Sequence, residues 1–163
     1  MSEHACVDFK PVDAILSRYP REEPSLIQVL QDVQRAYNYL PCDVLTRVAG
    51  ELGVPLAKVF SVATFYKAFA LTPQGRTIIK VCTGTACHIR GAPQLIEEVQ
   101  RRLGIGPGGT TEDMAFTLQT VNCVGACALA PVVRIGADET FGRMGPNEAR
   151  KLVRRLRKAE VPA

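Results

Sequence analysis

The chain has 163 residues, 47% hydrophobic and 22% charged, with a formal net charge of +4. That composition excludes a disordered protein, and a chain of this length folds as one domain or two small ones without disulfide staples. Residues 146–163 hold six Lys/Arg against two Glu while the rest of the chain balances fourteen against fourteen, which excludes the broad basic face with interleaved aromatics that nucleic-acid binding requires.

No apolar run reaches the ~18 residues that span a bilayer, and the start MSEHACVDFK lacks the basic and apolar regions of a leader. The expectation is a cytoplasmic protein, or one peripheral to a membrane complex on its cytoplasmic face, with no direct membrane insertion.

The first seventy residues read as helices. A short helix is predicted near Pro11 to Tyr19. The next has Pro24 ahead of it, a capping box of Ser25 with Gln28, and Leu26, Val29, Leu30, Val33, Ala36, Tyr37 and Leu40 at helical spacing. Pro41 and Asp43 restart the chain, Val44, Leu45, Val48, Ala49 and Leu52 form the following stripe, and Gly53 is placed as its C-terminal cap. Another restart at Pro55 carries Leu56, Val59, Phe60 and Ala63. A break at Leu71 to Arg76 separates this small helical bundle from mixed strand and helix. Strands are expected at Thr77 to Val81 and Phe116 to Val121, with a helix from Pro93 to Leu103 between them, closed by Gly104. A hairpin over Val132 to Ile135 and Thr140 to Met144 turns at Gly136 to Glu139, and a last helix starts at Pro146.

The cysteines carry the chemistry. Cys82 and Cys87 stand in VCTGTACHIRGAP, and Cys123 and Cys127 in VNCVGACALAP. Each pair follows a predicted strand and lies among small residues, Gly84 and Ala86 or Gly125 and Ala126, so the backbone can wrap closely and turn N–H groups inward. Four thiolates without a carboxylate or imidazole in matching spacing form a soft donor set suited to zinc or iron-sulfur. The intervening four and three residues are wider than the knuckles of structural zinc sites, and a 2Fe-2S cluster needs loops that reach around bridging sulfides. N–H donors near Thr85, Val124 and Gly125 would offset the cluster's negative charge. A zinc site, a dithiol redox pair and buried structural thiols remain open on spacing alone.

The motifs GTACHIRGAP and CVGACALAPVV, the C-x4-C…C-x3-C pattern, the upstream VATFY and the closing FGRMGPNEARKL resemble the thioredoxin-like 2Fe-2S ferredoxin family over nearly the whole chain. Its members include the small flavoprotein-associated subunit of respiratory complex I and matching subunits of NAD(P)-linked hydrogenases and formate dehydrogenases. The elements read as α+β, a helical region over 1–73 followed by a domain over 74–163 with a four-stranded mixed sheet, and the resemblance implies that this second domain is a thioredoxin-like α/β domain. The helical region is expected to serve partner docking, on its position alone. The resemblance also implies one 2Fe-2S cluster per chain held by Cys82, Cys87, Cys123 and Cys127, and no catalytic residue on this chain. FMN and NAD(P)H are expected on a partner flavoprotein subunit, beside further iron-sulfur or catalytic subunits. The expected role is single-electron exchange between the cluster and that flavin, as the electron-transfer subunit of an NAD(P)-linked oxidoreductase. The competing reading is a structural scaffold module holding zinc on the same cysteines. A thiol-disulfide enzyme lacks the Cys-x-x-Cys ahead of the first sheet helix.

Other features are expected to be bland. Cys6 is read as a solvated thiol, Cys42 as a partly buried one, and His88 as a loop residue that could tune a potential by hydrogen bonding; His4 is the only other histidine. Gly104-Ile105-Gly106-Pro107-Gly108-Gly109 matches G-x-G-x-x-G but follows a helix and opens none, so no dinucleotide site is expected there. Phe65, Tyr66 and Phe69 are expected to pack in the interior, an exposed patch instead marking an assembly surface. The basic last helix has Ala149, Leu152, Val153 and Leu156 on one side, and its cations form either a solvated face or an electrostatic dock for an acidic partner.

Overall fold

The computed structural model describes residues 7–136 and 139–160, without the side chain of Glu160. Cys6, His4 and the hairpin turn at Ala137 and Asp138 lie outside the described residues. The chain divides into two compact units, Met1–Gln74 and Gly75–Ala163.

In the first unit α1 (Lys10–Leu16) is followed by a 3-10 turn at Glu23–Ser25, then α2 (Leu26–Tyr37), α3 (Cys42–Leu52) and α4 (Leu56–Phe65). The apolar stripes meet in one core containing Val12, Leu30, Val33, Val44, Leu45, Val48 and Val59. Gly53 caps α3 at φ 63°, its N–H bonded back to the last turn, a conformation glycine adopts without steric cost. The Ser25–Gln28 capping box does not form. Ser25 enters from the 3-10 turn with helical dihedrals, φ −74° and ψ −13°, and its side chain makes no cap hydrogen bond; a capping side chain needs the extended conformation that this entry excludes. Ala36 is exposed rather than part of the stripe. The segment after α4 is tied back by hydrogen bonds from Leu40 N–H to Ala70 C=O (2.7 Å) and from Ala70 N–H to Gln34 Oε1 (2.8 Å). Leu30 is fully buried, so Leu30→Ala is expected to cost about 2–5 kcal/mol, because the cavity adds to the lost transfer energy. Urea titration followed by circular dichroism checks this; a loss below about 1 kcal/mol would contradict the core just described.

The second unit is a four-stranded mixed sheet in the order β2-β1-β3-β4. Its strands are β1 (Thr77–Cys82), β2 (Phe116–Val121), β3 (Val133–Ile135) and β4 (Glu139–Phe141), with α5 (Thr85–Ile89) and α6 (Ala92–Leu103) between the first two and α7 (Pro146–Glu160) at the end. β1 pairs in parallel with β2, which requires the helical crossover that α5 and α6 supply. β3 pairs antiparallel with both β1 and β4. Alternation along the strands places Ile79, Val81, Phe116, Leu118 and Val133 in one core with Leu95, Val99 and Leu103 of α6 and Ala149, Leu152 and Val153 of α7. The two helices run in the same direction, since Arg150 of α7 meets Glu98 of α6 and, further along both, Arg157 meets the Arg102 carbonyl. The 104–109 run leaves α6 and returns along β2, with hydrogen bonds from Gly108 N–H to Leu118 C=O and from Leu118 N–H to Gly109 C=O. Its glycines serve this turn.

Candidate functional site

Cys82 is the last residue of β1 and lies in register with Val121, the last residue of β2. Both cysteine loops therefore leave the sheet at the same end of neighbouring parallel strands. Cys82 N–H donates to Val132 C=O at 3.0 Å and Thr83 N–H to Val121 C=O at 2.8 Å, which anchors the first loop between its neighbours. That loop turns into α5, which carries Cys87. The second loop carries Cys123 and reaches Cys127 at the start of the 3-10 turn Cys127–Leu129.

Two glycines let the loops close. A Cβ on Gly84 would stand 2.5 Å from the Asn122 carbonyl oxygen and 3.5 Å from Cys123 Cβ, so the first loop rests directly on the backbone of the second. Gly125 adopts φ +81° with open space around it, and its N–H donates to Cys123 Sγ at 3.3 Å. The first glycine is required by close approach, the second by its dihedral.

The thiols of the two loops act on one another. Cys123 Sγ and Cys127 Sγ are 3.9 Å apart, and the Cys87 and Cys123 thiols both influence the ionisation of Cys82. Cys82 and Cys87 are each only 2% exposed, packed with Ala92, Ala130 and Val132 and against Ala86 and Val124. Cys123 and Cys127 face outward. The site therefore has a dry, apolar inner edge and an accessible outer one.

The environment orders the ionisation of these thiols. Burial opposes charge on Cys82, yet hydrogen bonds donated by the Gly84 and Val124 N–H groups, together with the Cys87 and Cys123 thiols, outweigh it and hold Cys82 below the ordinary cysteine value. Burial pushes Cys87 up, and the hydrogen bond with Cys82 adds to the rise against a favourable Val132 N–H. The hydrogen bond with Cys123 raises Cys127 first, and the charge of its neighbours adds to it. The neighbouring thiols thus oppose charge on Cys87 and Cys127, and a multivalent cation replacing their protons removes that penalty.

This donor set fits a 2Fe-2S cluster. Two thiolates on one tetrahedral metal with metal–sulfur bonds of about 2.3 Å lie about 3.8 Å apart, close to the 3.9 Å between Cys123 and Cys127. Four cysteine sulfurs with no His, Asp or Glu partner are the donor set such a cluster takes. Of the N–H donors expected from sequence, Val124 and Gly125 aim at sulfurs, Gly84 takes the place of Thr85, and Val132 adds a fourth. Val132 was not legible as a donor because it reaches Cys87 only through the β1–β3 pairing.

The remaining features separate cleanly from the site. His88 is exposed, and among the described residues its ring makes no hydrogen bond. Cys42 is exposed at the first residue of α3, not partly buried, because Val44 and Leu45 take the core-facing positions of that turn. Phe65 is 78% exposed and Tyr66 also faces outward, against the expectation of interior packing. Val59 and Ala63 define the buried side of α4, and at 100° per residue Phe65 points away from it. Its ring meets Tyr66 edge-on at 5.0 Å, and Tyr66 meets Phe69 at 6.0 Å.

Known proteins resemble this chain in sequence and in fold. The family model described as thioredoxin-like 2Fe-2S ferredoxin matches residues 12–157. The NADP-reducing hydrogenase subunit HndA of Solidesulfovibrio fructosivorans is 36% identical over 93% of this chain and 90% of its own. A subunit of the NADH-quinone oxidoreductase of Rhizobium meliloti (strain 1021) is 37% identical over 91% of this chain and 88% of its own. In three dimensions the fold matches a chain of the NAD+-reducing NiFe-hydrogenase in the H2-reduced state with TM-score 0.72 and 23% identity, over 88% of this chain and 24% of that one. Sequence likeness along both units, with a matching architecture, leads to one conclusion: the chain belongs to the thioredoxin-like 2Fe-2S ferredoxin family.

Proposed function

We propose that this chain is an electron-transfer subunit that holds one 2Fe-2S cluster on Cys82, Cys87, Cys123 and Cys127 and exchanges single electrons with the flavin of a partner NAD(P)H-oxidising subunit. The carrying observation is the convergence of four thiols from two loops, backed by N–H donors, in a member of this family. The relatives are named as subunits of an NADP-reducing hydrogenase and an NADH-quinone oxidoreductase, which supports assembly with other subunits. The cluster supplies one-electron chemistry at a site where hydride donors deliver pairs.

The residues of this chain do the rest. N–H groups of Gly84, Val124, Gly125 and Val132 point partial positive charge at the sulfurs, and would favour the more negative, reduced form of a cluster held there. Ala92, Ala130 and Val132 keep water from the inner sulfurs, while Cys123 and Cys127 offer the edge through which an electron crosses. Exposed Leu129, two residues beyond Cys127, and Ile89, two residues beyond Cys87, add apolar surface to the cysteine loops that a partner can cover. We infer that residues 1–73 serve docking to the flavoprotein, a role the outward Phe65–Tyr66 pair supports. No helix among the described residues is long and apolar enough to cross a membrane, which is compatible with a cytoplasmic complex.

Protein purified without oxygen is expected to contain about two irons and two acid-labile sulfides per chain and to give a rhombic spin-half EPR signal after dithionite. One zinc per chain, with no signal after reconstitution with iron and sulfide, would replace this reading with a structural zinc module.

A further inference from the structure

The excess positive charge of the chain gathers in one groove. Where α6 and α7 run side by side, Arg102, Arg150, Val153, Arg154, Arg157 and Lys158 line a cavity of about 720 Å³. The carboxylate beneath it, Glu98, is 3% exposed and is shared by Arg101, Arg102 and Arg150. Arg102 and Arg150 both use Nε to reach the same oxygen, Glu98 Oε1, at 3.0 and 3.1 Å. Their terminal guanidinium nitrogens are left outside that contact, so one buried carboxylate fixes two cationic forks along the groove. Arg157 Nη2 donates to the Arg102 carbonyl at 2.9 Å and holds the far end of the groove closed. Among the described residues Arg154 and Lys158 have no anionic partner. Five cations line the groove over one buried carboxylate. Arg102, Arg157 and Lys158 stand in last helical turns, where they offset a dipole, Arg150 and Arg154 do not, and Arg157 also borders a second cavity with Glu112 and Asp113.

We propose that this groove seats an acidic peptide segment of another subunit of the complex. Arg150, Arg154, Arg157 and Lys158 recur at i, i+4, i+7 and i+8 along α7, a row about 12 Å long at 1.5 Å per residue. An elongated row fits carboxylates spaced along an extended chain, about 3.3 Å per residue, better than one compact phosphate. Guanidinium forks bind carboxylates bidentately, and pre-positioning by Glu98 lowers the entropy lost on binding. Arg is a favoured interface residue for the same reasons. The identity of the occupant as a subunit rests on the assembly reading above, whereas the groove can be tested without cluster or complex.

The test uses the full chain and a fluorescein-labelled hexaglutamate peptide, read by fluorescence anisotropy at about 50 mM salt. Saturable binding is expected, weakened at least about tenfold by Arg150→Gln with Arg154→Gln and unchanged by Arg21→Gln with Arg35→Gln on the helical unit. Glu98→Gln separates positioning from bulk charge: removing a negative charge would tighten binding if only charge mattered, whereas unfastening the two forks weakens it. Absence of saturable binding overturns the proposal, as does equal loss in the control pair or tightening by Glu98→Gln. Stronger binding of inorganic pyrophosphate or an oligothymidine also overturns it, in favour of a phosphate or nucleic-acid site. None of these outcomes depends on iron, so failure here leaves the iron and EPR result standing and the reverse holds as well.

Discussion

Cys82→Ala and Cys123→Ala, each alone, are expected to remove the cluster's visible absorption and reduce iron from about two per chain to a small fraction of that, while Cys42→Ala and Cys6→Ala leave both intact. The two site positions test opposite edges. Cys82 sits in the dry inner edge, only 2% exposed, where Gly84 and Val124 N–H groups favour its thiolate. Cys123 is exposed, so solvent could reach the vacated position; the loss there rests on its pairing with Cys127 at 3.9 Å, since one thiolate cannot fill two positions on an iron. Cys42 belongs to the helical unit and to neither cysteine loop, and Cys6 is outside the described residues. Full absorption retained in either site variant would defeat the ligand assignment, and lost absorption in Cys42→Ala would place a ligand where none is proposed. Because a bound cluster stabilises the folded state by mass action, the site variants should also melt at lower temperature than the loaded protein, and no lower than the cluster-free wild type.

Much of this architecture was legible because short-range signals and tertiary demands agree. The α2, α3 and α4 stripes repeat every three to four residues and each is restarted by a proline, so their buried sides follow from the order of residues alone. Phe116–Val121 is a strand over the span its alternation predicts. The hairpin strands come out shorter, Val133–Ile135 and Glu139–Phe141. Met144 N–H there turns instead to the Pro131 carbonyl, a long-range choice that local pattern does not carry. The Ser25 cap does not form because the 3-10 turn fixes helical dihedrals one residue early, and Phe65 faces outward because its angle around α4 places it away from Val59 and Ala63. For the site, sequence pointed to the four cysteines through their spacing and the family they resemble. It could not show which two would be buried, since that depends on the start of α6 and the segment just before β3 packing over Cys82 and Cys87. The groove between α6 and α7 was half visible: the basic helix was evident, but Glu98 as the buried anchor of its guanidinium groups required the helix pairing.

Gly84→Ala is expected to empty the site without unfolding the chain, which separates loop packing from ligand identity. A methyl at this position meets the Asn122 carbonyl oxygen at 2.5 Å. The methyl is fixed to the backbone and the oxygen it meets is backbone, so no rotamer change relieves the clash, and the first loop must move off the second by several tenths of an ångström. The four sulfurs come from both loops, and a cluster tolerates little change in sulfur spacing because metal–sulfur bond lengths vary by only about 0.2 Å. The shift also withdraws the Gly84 N–H from Cys82. Gly125→Ala is the matched comparison: φ +81° strains an L-residue by about 1–2 kcal/mol, yet the space around it is open. The expected result is Gly84→Ala purified with less than about half the wild-type iron but a native far-ultraviolet dichroism spectrum, because the apolar cores of both units lie elsewhere. Gly125→Ala should keep its iron and melt a few degrees lower. If Gly84→Ala retained full iron at the wild-type melting temperature, the two loops would not press together as described, and the sulfurs would owe their spacing to α5 and the 3-10 turn instead.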